Sequence, residues 1–209
     1  MRLLPSGTTS LLVELDELEQ VLALYAALGA DRPDGVVDIV PAARTVLVVT
    51  DPAVTTLAAV GEAVRRAATR RGPRDTPRAP GELVEVPVTY DGADLSAAAQ
   101  LLDCDGPELV RRHTTAEWTV AFCGFAPGFA YLTSAVGQWD VPRRSSPRTS
   151  VPAGSVALAG EFSGVYPRES PGGWQLIGRT DVAVFDPTRD PAALLRPGNR
   201  VRFLDVGAR

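Results

Sequence analysis

The sequence predicts an α+β protein in two parts: a small split β-α-β domain over residues 1–82, then a strand-rich domain over residues 83–209. Three observations lead there. The first part reads strand, helix, strand, strand, helix, the order of a two-layer α+β unit. The stretch RGPRDTPRAPGE (Arg71 to Glu82) follows, with the prolines and exposed charge of a linker. From Trp118 onward, short apolar runs are separated by Gly and Pro turn signals, the pattern of a β-barrel or sandwich.

SLLVEL (Ser10 to Leu15) is the first expected strand. DELEQVLALYAA (Asp16 to Ala27) follows with Leu18, Val21, Leu22, Tyr25 and Leu28 at helical spacing; Asp16 is the expected cap and Gly29 the expected end. VVDIVP (Val36 to Pro41) and RTVLVVT (Arg44 to Thr50) are β-branched runs joined by a tight turn, a hairpin signal. A second helix is expected from Ala53 to Arg70, apolar at Leu57, Val60 and Val64. In the second part LVEVPVTY (Leu83 to Tyr90) reads as a strand, and helices are expected over Asp94 to Leu102 and Pro107 to His113. DVAVFDP and RVRFLDV, near the end, alternate apolar and polar residues as half-buried antiparallel strands do.

Composition excludes several classes. With 45 % hydrophobic and 22 % charged residues the chain has the make-up of a globular protein with a substantial core. A formal charge of −4 argues against a nucleic-acid binder that depends on a basic field. All 21 basic residues are arginine, which rules out a lysine Schiff base or a P-loop lysine in this chain. No apolar run approaches the length of a membrane span, and MRLLPSGTTS lacks a secretory h-region, so a cytoplasmic location with Cys104 and Cys123 reduced is expected. One histidine and two cysteines are too few for a structural zinc site.

The chemistry concentrates between Phe122 and Arg179, where Gly, Pro, Arg and aromatics are denser than a core requires. Pro fixes φ and Gly opens positive φ, so this segment reads as stiff, shaped loops on short strands. His113, the only histidine, is the natural acid or base near neutral pH; its place at a helix end is equally explained by the helix dipole. Arg143, Arg144 and Arg148 follow one another through a Pro-bounded loop, and their guanidinium forks suit carboxylate or phosphate. A solvated basic loop is the plain alternative. SPGG (Ser170 to Gly173) offers backbone N–H groups to an oxyanion, or is simply a β-turn. Ser155 and Ser170 lie in Gly-flanked turns outside any GxSxG elbow, and Cys123 reads as a small core residue. The region shows no complete pair of catalytic carboxylates, which suggests a site finished by a second protein.

Three motifs, GFAPGFAYL (Gly124 to Leu132), PRRSSPRTSVPAGSVALAG (Pro142 to Gly160) and GVYPRESPGGWQLIGRT (Gly164 to Thr180), resemble the KipI / allophanate hydrolase subunit 1 family, whose members include the B component of the bacterial ATP-dependent 5-oxoprolinase. The resemblance covers nearly the whole chain and is strongest from His113 to Phe203. It implies that the second domain is a cyclophilin-like β-barrel. It also implies a partner of the allophanate hydrolase subunit 2 type, the C component of the 5-oxoprolinase, with a third, A-like component, and inactivity of this chain alone. On this reading the complex opens 5-oxoproline to glutamate at the expense of ATP with Mg2+, bound by the assembly. His113 and Arg148 are then the catalytic candidates. Arg143, Arg144, Tyr131, Ser155, Tyr166, Ser170, Gly172, Gly173 and Gln175 are the candidates for binding substrate or phosphate. The alternatives within the family are a carboxyltransferase-like component of the allophanate or urea-carboxylase type and a KipI-like inhibitor of a histidine kinase. Two departures from the family pattern stand out. Glu161-Phe162-Ser163 replaces an expected Gln-Thr pair before Gly164, and Asn199 replaces the aspartate of a terminal PGD turn.

Overall fold

The computed structural model describes residues 1–69, 81–136 and 139–207, so the expected linker lies, up to residue 80, outside the described residues. The chain divides into two compact units, Met1–Arg78 and Ala79–Arg209.

The first unit is an antiparallel sheet of β1 (Arg2–Ser6), β2 (Ser10–Glu14), β3 (Val36–Pro41) and β4 (Thr45–Thr50), in the order β1-β2-β4-β3, with helices α1 (Leu18–Ala30) and α2 (Leu57–Thr69). The β1 strand, which contains Pro5, is absent from the sequence expectation. Pro5 is tolerated because β1 is an edge strand, pairing with β2 alone. The expected cap of α1 also differs. The N-cap residue is Glu17, without a side-chain cap bond, while the Asp16 N–H donates to Gln20 Oε1 at 3.2 Å. Gly29 lies inside the helix, whose C-cap is Asp31. Val13, Val46 and Val48 from the sheet meet Val21, Leu24, Leu28, Val60 and Val64 from the helices in one buried core.

The second unit carries a seven-stranded sheet that is nearly closed. Its strands are β5 (Leu83–Val88), β6 (Trp118–Cys123), β7 (Ala130–Ser134), β9 (Ser155–Ala159), β10 (Phe162–Val165), β12 (Gln175–Arg179) and β13 (Arg200–Asp205), in the order β12-β9-β10-β7-β6-β13-β5. The two end strands meet where Thr89, just beyond β5, exchanges both backbone hydrogen bonds with Arg179 at 2.9 Å. All pairs are antiparallel except β13 with β5. A short ribbon, β8 (Arg148–Val151) with β11 (Ser170–Gly172), and helices α3 (Leu95–Leu101) and α4 (Gly106–Thr115) complete the unit. Asp105 caps α4 by accepting from the Glu108 N–H at 2.8 Å, with Pro107 in the first turn.

One expected strand is not there. DVAVFDP forms only an isolated bridge, Phe185 with Ala193, because the segment folds back on residues 192–194 through Leu194 N to Val184 O and Asp186 N to Ala192 O, both 2.9 Å. Asn199 does the work expected of an aspartate in the terminal turn, its Oδ1 accepting from the Arg196 N–H at 2.8 Å.

The sheet is buried on both faces, which is why β9 reads SVALA without alternation. Val156 and Leu158 point into the barrel core with Trp118, Leu132, Val165 and Phe203. Ala157 and Ala159 face a second, aromatic cluster of Phe129, Tyr166, Trp174 and Leu176 on the other side. Among the described residues no helix is long and apolar enough to cross a membrane.

Candidate functional site

The arginine loop is pinned from several directions. Its Arg144 N–H donates to the Gly173 carbonyl at 2.8 Å, and Gln175 Nε2 donates to the Pro142 carbonyl at 3.1 Å. Arg148 opens β8, directly across from Gly172 of β11. Gly172 is required there because a Cβ would stand 2.2 Å from the Tyr166 hydroxyl oxygen. The SPGG turn, the arginine loop and Tyr166 are thus one unit.

At its centre lies a residue that the sequence reading treats only as a helix start. Asp94 is 4 % exposed. Its Oδ1 accepts from Arg144 Nη1 at 2.7 Å and from Arg148 Nη2 at 2.9 Å, and its Oδ2 accepts from the Leu176 N–H at 2.8 Å. Burial alone would push the Asp94 carboxyl up. The Arg148 hydrogen bond, the Leu176 N–H and the charges of both arginines outweigh it and hold the carboxyl below its ordinary value. The segment leading to Asp94 is pressed on β12: a Cβ on Gly92 would stand 2.3 Å from the Leu176 oxygen and 2.5 Å from the Gly178 nitrogen. Gly92→Ala is therefore expected to lever this segment off the strand. The cost is about 1–3 kcal/mol, read as a lower midpoint in urea denaturation of the isolated chain.

Beside the arginines lies a largely buried aromatic cluster. Phe122 stacks on Tyr131 at 4.4 Å between ring centroids, and Phe129 meets Tyr166 and Trp174 edge-on at 5.3 Å. Burial raises the phenol pKa of both Tyr131 and Tyr166, while the nearby Arg143 charge acts against that rise. Both therefore stay protonated at neutral pH; Tyr131, half-buried, can donate to an anion, whereas Tyr166 is enclosed. Arg143 is exposed and has no hydrogen-bond or ion-pair partner among the described residues. Phe125 stands over the same edge, 58 % exposed, edge-on to Phe129 and Tyr166, with its backbone at φ 68, a conformation that phenylalanine rarely adopts.

The structure thus brings together Arg143, Arg144, Arg148, Tyr131, Tyr166, Gly172 and Gly173, with Gln175 bracing the loop. Ser155 and Ser170 contribute differently from expectation. Their hydroxyls donate to the Pro152 carbonyl (2.8 Å) and the Arg168 carbonyl (3.1 Å), so they tie turns.

His113 requires a correction. It lies on the barrel-core side of the sheet, whereas Tyr131, Tyr166 and Leu176 lie on the other. It is fully buried, stacked on Phe203 at 4.3 Å and flanked by Trp118 and Trp139. Tyr90 Oη sits 2.7 Å from Nδ1 and Ser163 Oγ 2.9 Å from Nε2. Burial drives its pKa down to about 3, so the ring is neutral. A histidine without solvent or ligand access cannot exchange protons with a substrate at the arginine loop, and the acid–base role expected of it falls away. Asp94 and Phe125 carry no signal in the sequence: an aspartate before a helix reads as a cap, and an aromatic in a Gly-rich loop reads as core.

The family model for the carboxyltransferase domain, subdomain C and D, matches residues 1–195. The protein of Escherichia coli O157:H7 named as the B component of 5-oxoprolinase is 49 % identical over 124 residues, 58 % of this chain and 57 % of that protein. Its namesake in Bacillus subtilis is 46 % identical over 127 residues, 59 % of this chain and 53 % of that one. The matches thus span little more than half the length of these curated relatives. Among solved structures, the Kluyveromyces lactis urea carboxylase superposes with a TM-score of 0.79 at 18 % identity, over 99 % of this chain and 23 % of that one, a likeness of fold. The chain belongs to the carboxyltransferase-domain family, subdomains C and D, and within it stands with the proteins named as the B component of 5-oxoprolinase.

Proposed function

We propose that this chain is the B component of an ATP-dependent 5-oxoprolinase, which opens 5-oxoproline to L-glutamate together with a C-like partner and an A-like component in the cytoplasm. The observation that carries this reading is the cationic, donor-rich edge formed by Arg143, Arg144, Arg148 and the protonated Tyr131, in a chain whose relatives are named for that activity. A lactam is a poor electrophile. ATP with Mg2+, when bound by the assembly, supplies the phosphoryl group that makes the lactam oxygen a leaving group. The arginine loop then has two tasks that match its chemistry. Arg143 holds the substrate carboxylate or a phosphate oxygen, and Arg144 and Arg148 keep a positive field where charge develops. Tyr131, half-buried at the same edge, donates a hydrogen bond to that anion, while the buried Tyr166 backs the Gly172 turn. Phe125 and the exposed rim around it offer the partner a surface on which to close the site.

The test is phosphate release by this chain co-purified with its neighbouring components, measured with and without 5-oxoproline and with each component omitted in turn. Release that needs both 5-oxoproline and this chain is the expected result. A stable complex whose ATP hydrolysis ignores 5-oxoproline would overturn the reading and direct the search to urea-type substrates.

A further inference from the structure

We propose that Asp94 is the positioning residue of the site, the carboxylate that sets the orientation of the Arg144 and Arg148 guanidinium groups toward the bound anion. This inference rests on the 5-oxoprolinase reading for its catalytic consequence, and on the geometry alone for the positioning itself.

Four features of Asp94 argue that it serves the arginines and not the helix it heads. An aspartate at an N-cap ordinarily accepts from the first turn of its helix, yet Asp94 makes no side-chain cap bond to α3. Its oxygens are spent on Arg144, Arg148 and the Leu176 N–H. It is itself held at two points, because its own N–H donates to the Leu176 carbonyl at 2.9 Å, so the carboxylate is a fixed post on β12. Two like-charged guanidinium groups converge on one oxygen, an approach that repulsion would forbid without the carboxylate between them.

The fourth feature separates this arrangement from an ordinary stabilising ion pair. Both arginines bond Asp94 through a single N–H, sharing Oδ1, instead of presenting a two-pronged fork. Arg144 Nε and Arg148 Nη1 are left buried with no hydrogen-bond partner among the described residues. A pair arranged for stability would satisfy those donors. The geometry leaves them unsatisfied while keeping Arg144 34 % and Arg148 23 % exposed, so each guanidinium still reaches the surface. One carboxylate among three arginines leaves the cluster cationic and able to hold an anion.

Asp94→Asn keeps the size of the side chain and an acceptor for the Leu176 N–H, and removes the charge. In the reconstituted complex we expect kcat for 5-oxoproline-dependent phosphate release to fall about 100-fold without a rise in KM. Orientation is lost while the positive field that binds the anion grows. Asp94→Asn should cost much less on top of Arg148→Ala than it does alone, since part of its effect runs through the Arg148 guanidinium. In the isolated, isotope-labelled chain, the Nε–H signals of Arg144 and Arg148 should be slow-exchanging in the wild type and averaged in Asp94→Asn.

Unchanged kcat, or losses from Asp94→Asn and Arg148→Ala that multiply, would overturn the proposal. If the wild-type complex shows no response to 5-oxoproline, the functional reading fails by itself. The guanidinium signals then decide the positioning role: averaging in Asp94→Asn upholds it, and unchanged signals end it. If Asp94→Asn does not fold, Arg144→Gln gives the same decision. Arg148 should stay ordered there because Asp94 still holds it, and averaging of its Nε–H signal would overturn the idea.

Discussion

Arg148→Ala is expected to abolish 5-oxoproline-dependent turnover of the assembled complex, a loss of about 1000-fold or more, while the chain itself stays folded. The two halves of that expectation have separate physical grounds. The guanidinium is a fixed charge at the edge where phosphate or carboxylate would sit, and removing one preorganised donor of this kind typically costs about 100- to 1000-fold in kcat. Arg148 is also one of the two arginines that bond to Asp94 among the described residues. The fold survives because Asp94 keeps Arg144 and the Leu176 N–H, so no buried carboxylate is stranded. The strand pairing of β8 with β11 runs through the backbone and does not need the side chain. The stability cost is that of one charge-assisted hydrogen bond, about 1–3 kcal/mol. The measurements are phosphate release by the reconstituted complex and urea denaturation of the isolated chain. Wild-type rates would take Arg148 out of the site.

His113 should behave in the opposite way, with a large effect on stability and none on chemistry per folded molecule. His113→Ala opens a cavity between Phe203, Trp118 and Trp139, and leaves the Tyr90 and Ser163 hydroxyls without their ring partner. The expected cost is about 3–5 kcal/mol, that of a large core side chain. The wild-type histidine also makes the barrel acid-sensitive. Its folded-state pKa is near 3, depressed by burial below the unfolded value of about 6.5. A depressed base contributes fully above the unfolded pKa. That contribution is lost as pH falls from about 6.5 toward 3, because the unfolded chain binds a proton that the folded one refuses. The slope approaches about 1.4 kcal/mol per pH unit, so stability at pH 5 should be about 2 kcal/mol lower than at pH 7. His113 is the only histidine, so no other imidazole titrates in that window. Urea midpoints at pH 7 and pH 5 test this: the wild type should lose stability between them, and His113→Phe, though weaker at pH 7, should lose far less. An equal drop in both proteins would mean that the imidazole is not held neutral.

Much of this molecule was legible before any coordinates. Apolar periodicity placed α1, α2, α3 and α4 within a few residues of where they stand, because each buries one stripe against a sheet. β-Branched runs placed β3 and β4, a short apolar run placed β2, and LVEVPVTY and the alternating RVRFLDV placed β5 and β13. The unusual density of Arg, Gly, Pro and aromatics marked the segment that forms the candidate site. Errors came where a local rule was overridden by position in the sheet. The edge strand β1, whose Pro5 needs no donor on its open side, was not expected, and DVAVFDP alternates like a strand but turns back on itself.

Composition, periodicity and turn chemistry alone determined the α+β class, the arginine loop and the presence of one imidazole, since each is a property of neighbours in the chain. Which side of the sheet a residue faces is not such a property. His113 and Tyr131 look equally available in the sequence, yet closure of the barrel seals one inside and leaves the other at the arginine edge. Asp94 lies far from Arg144 and Arg148 along the chain, and only the packing of its segment against β12 brings one carboxylate between two guanidinium groups. Tertiary structure decided those placements because burial and charge pairing depend on distance through space, whatever the separation along the chain.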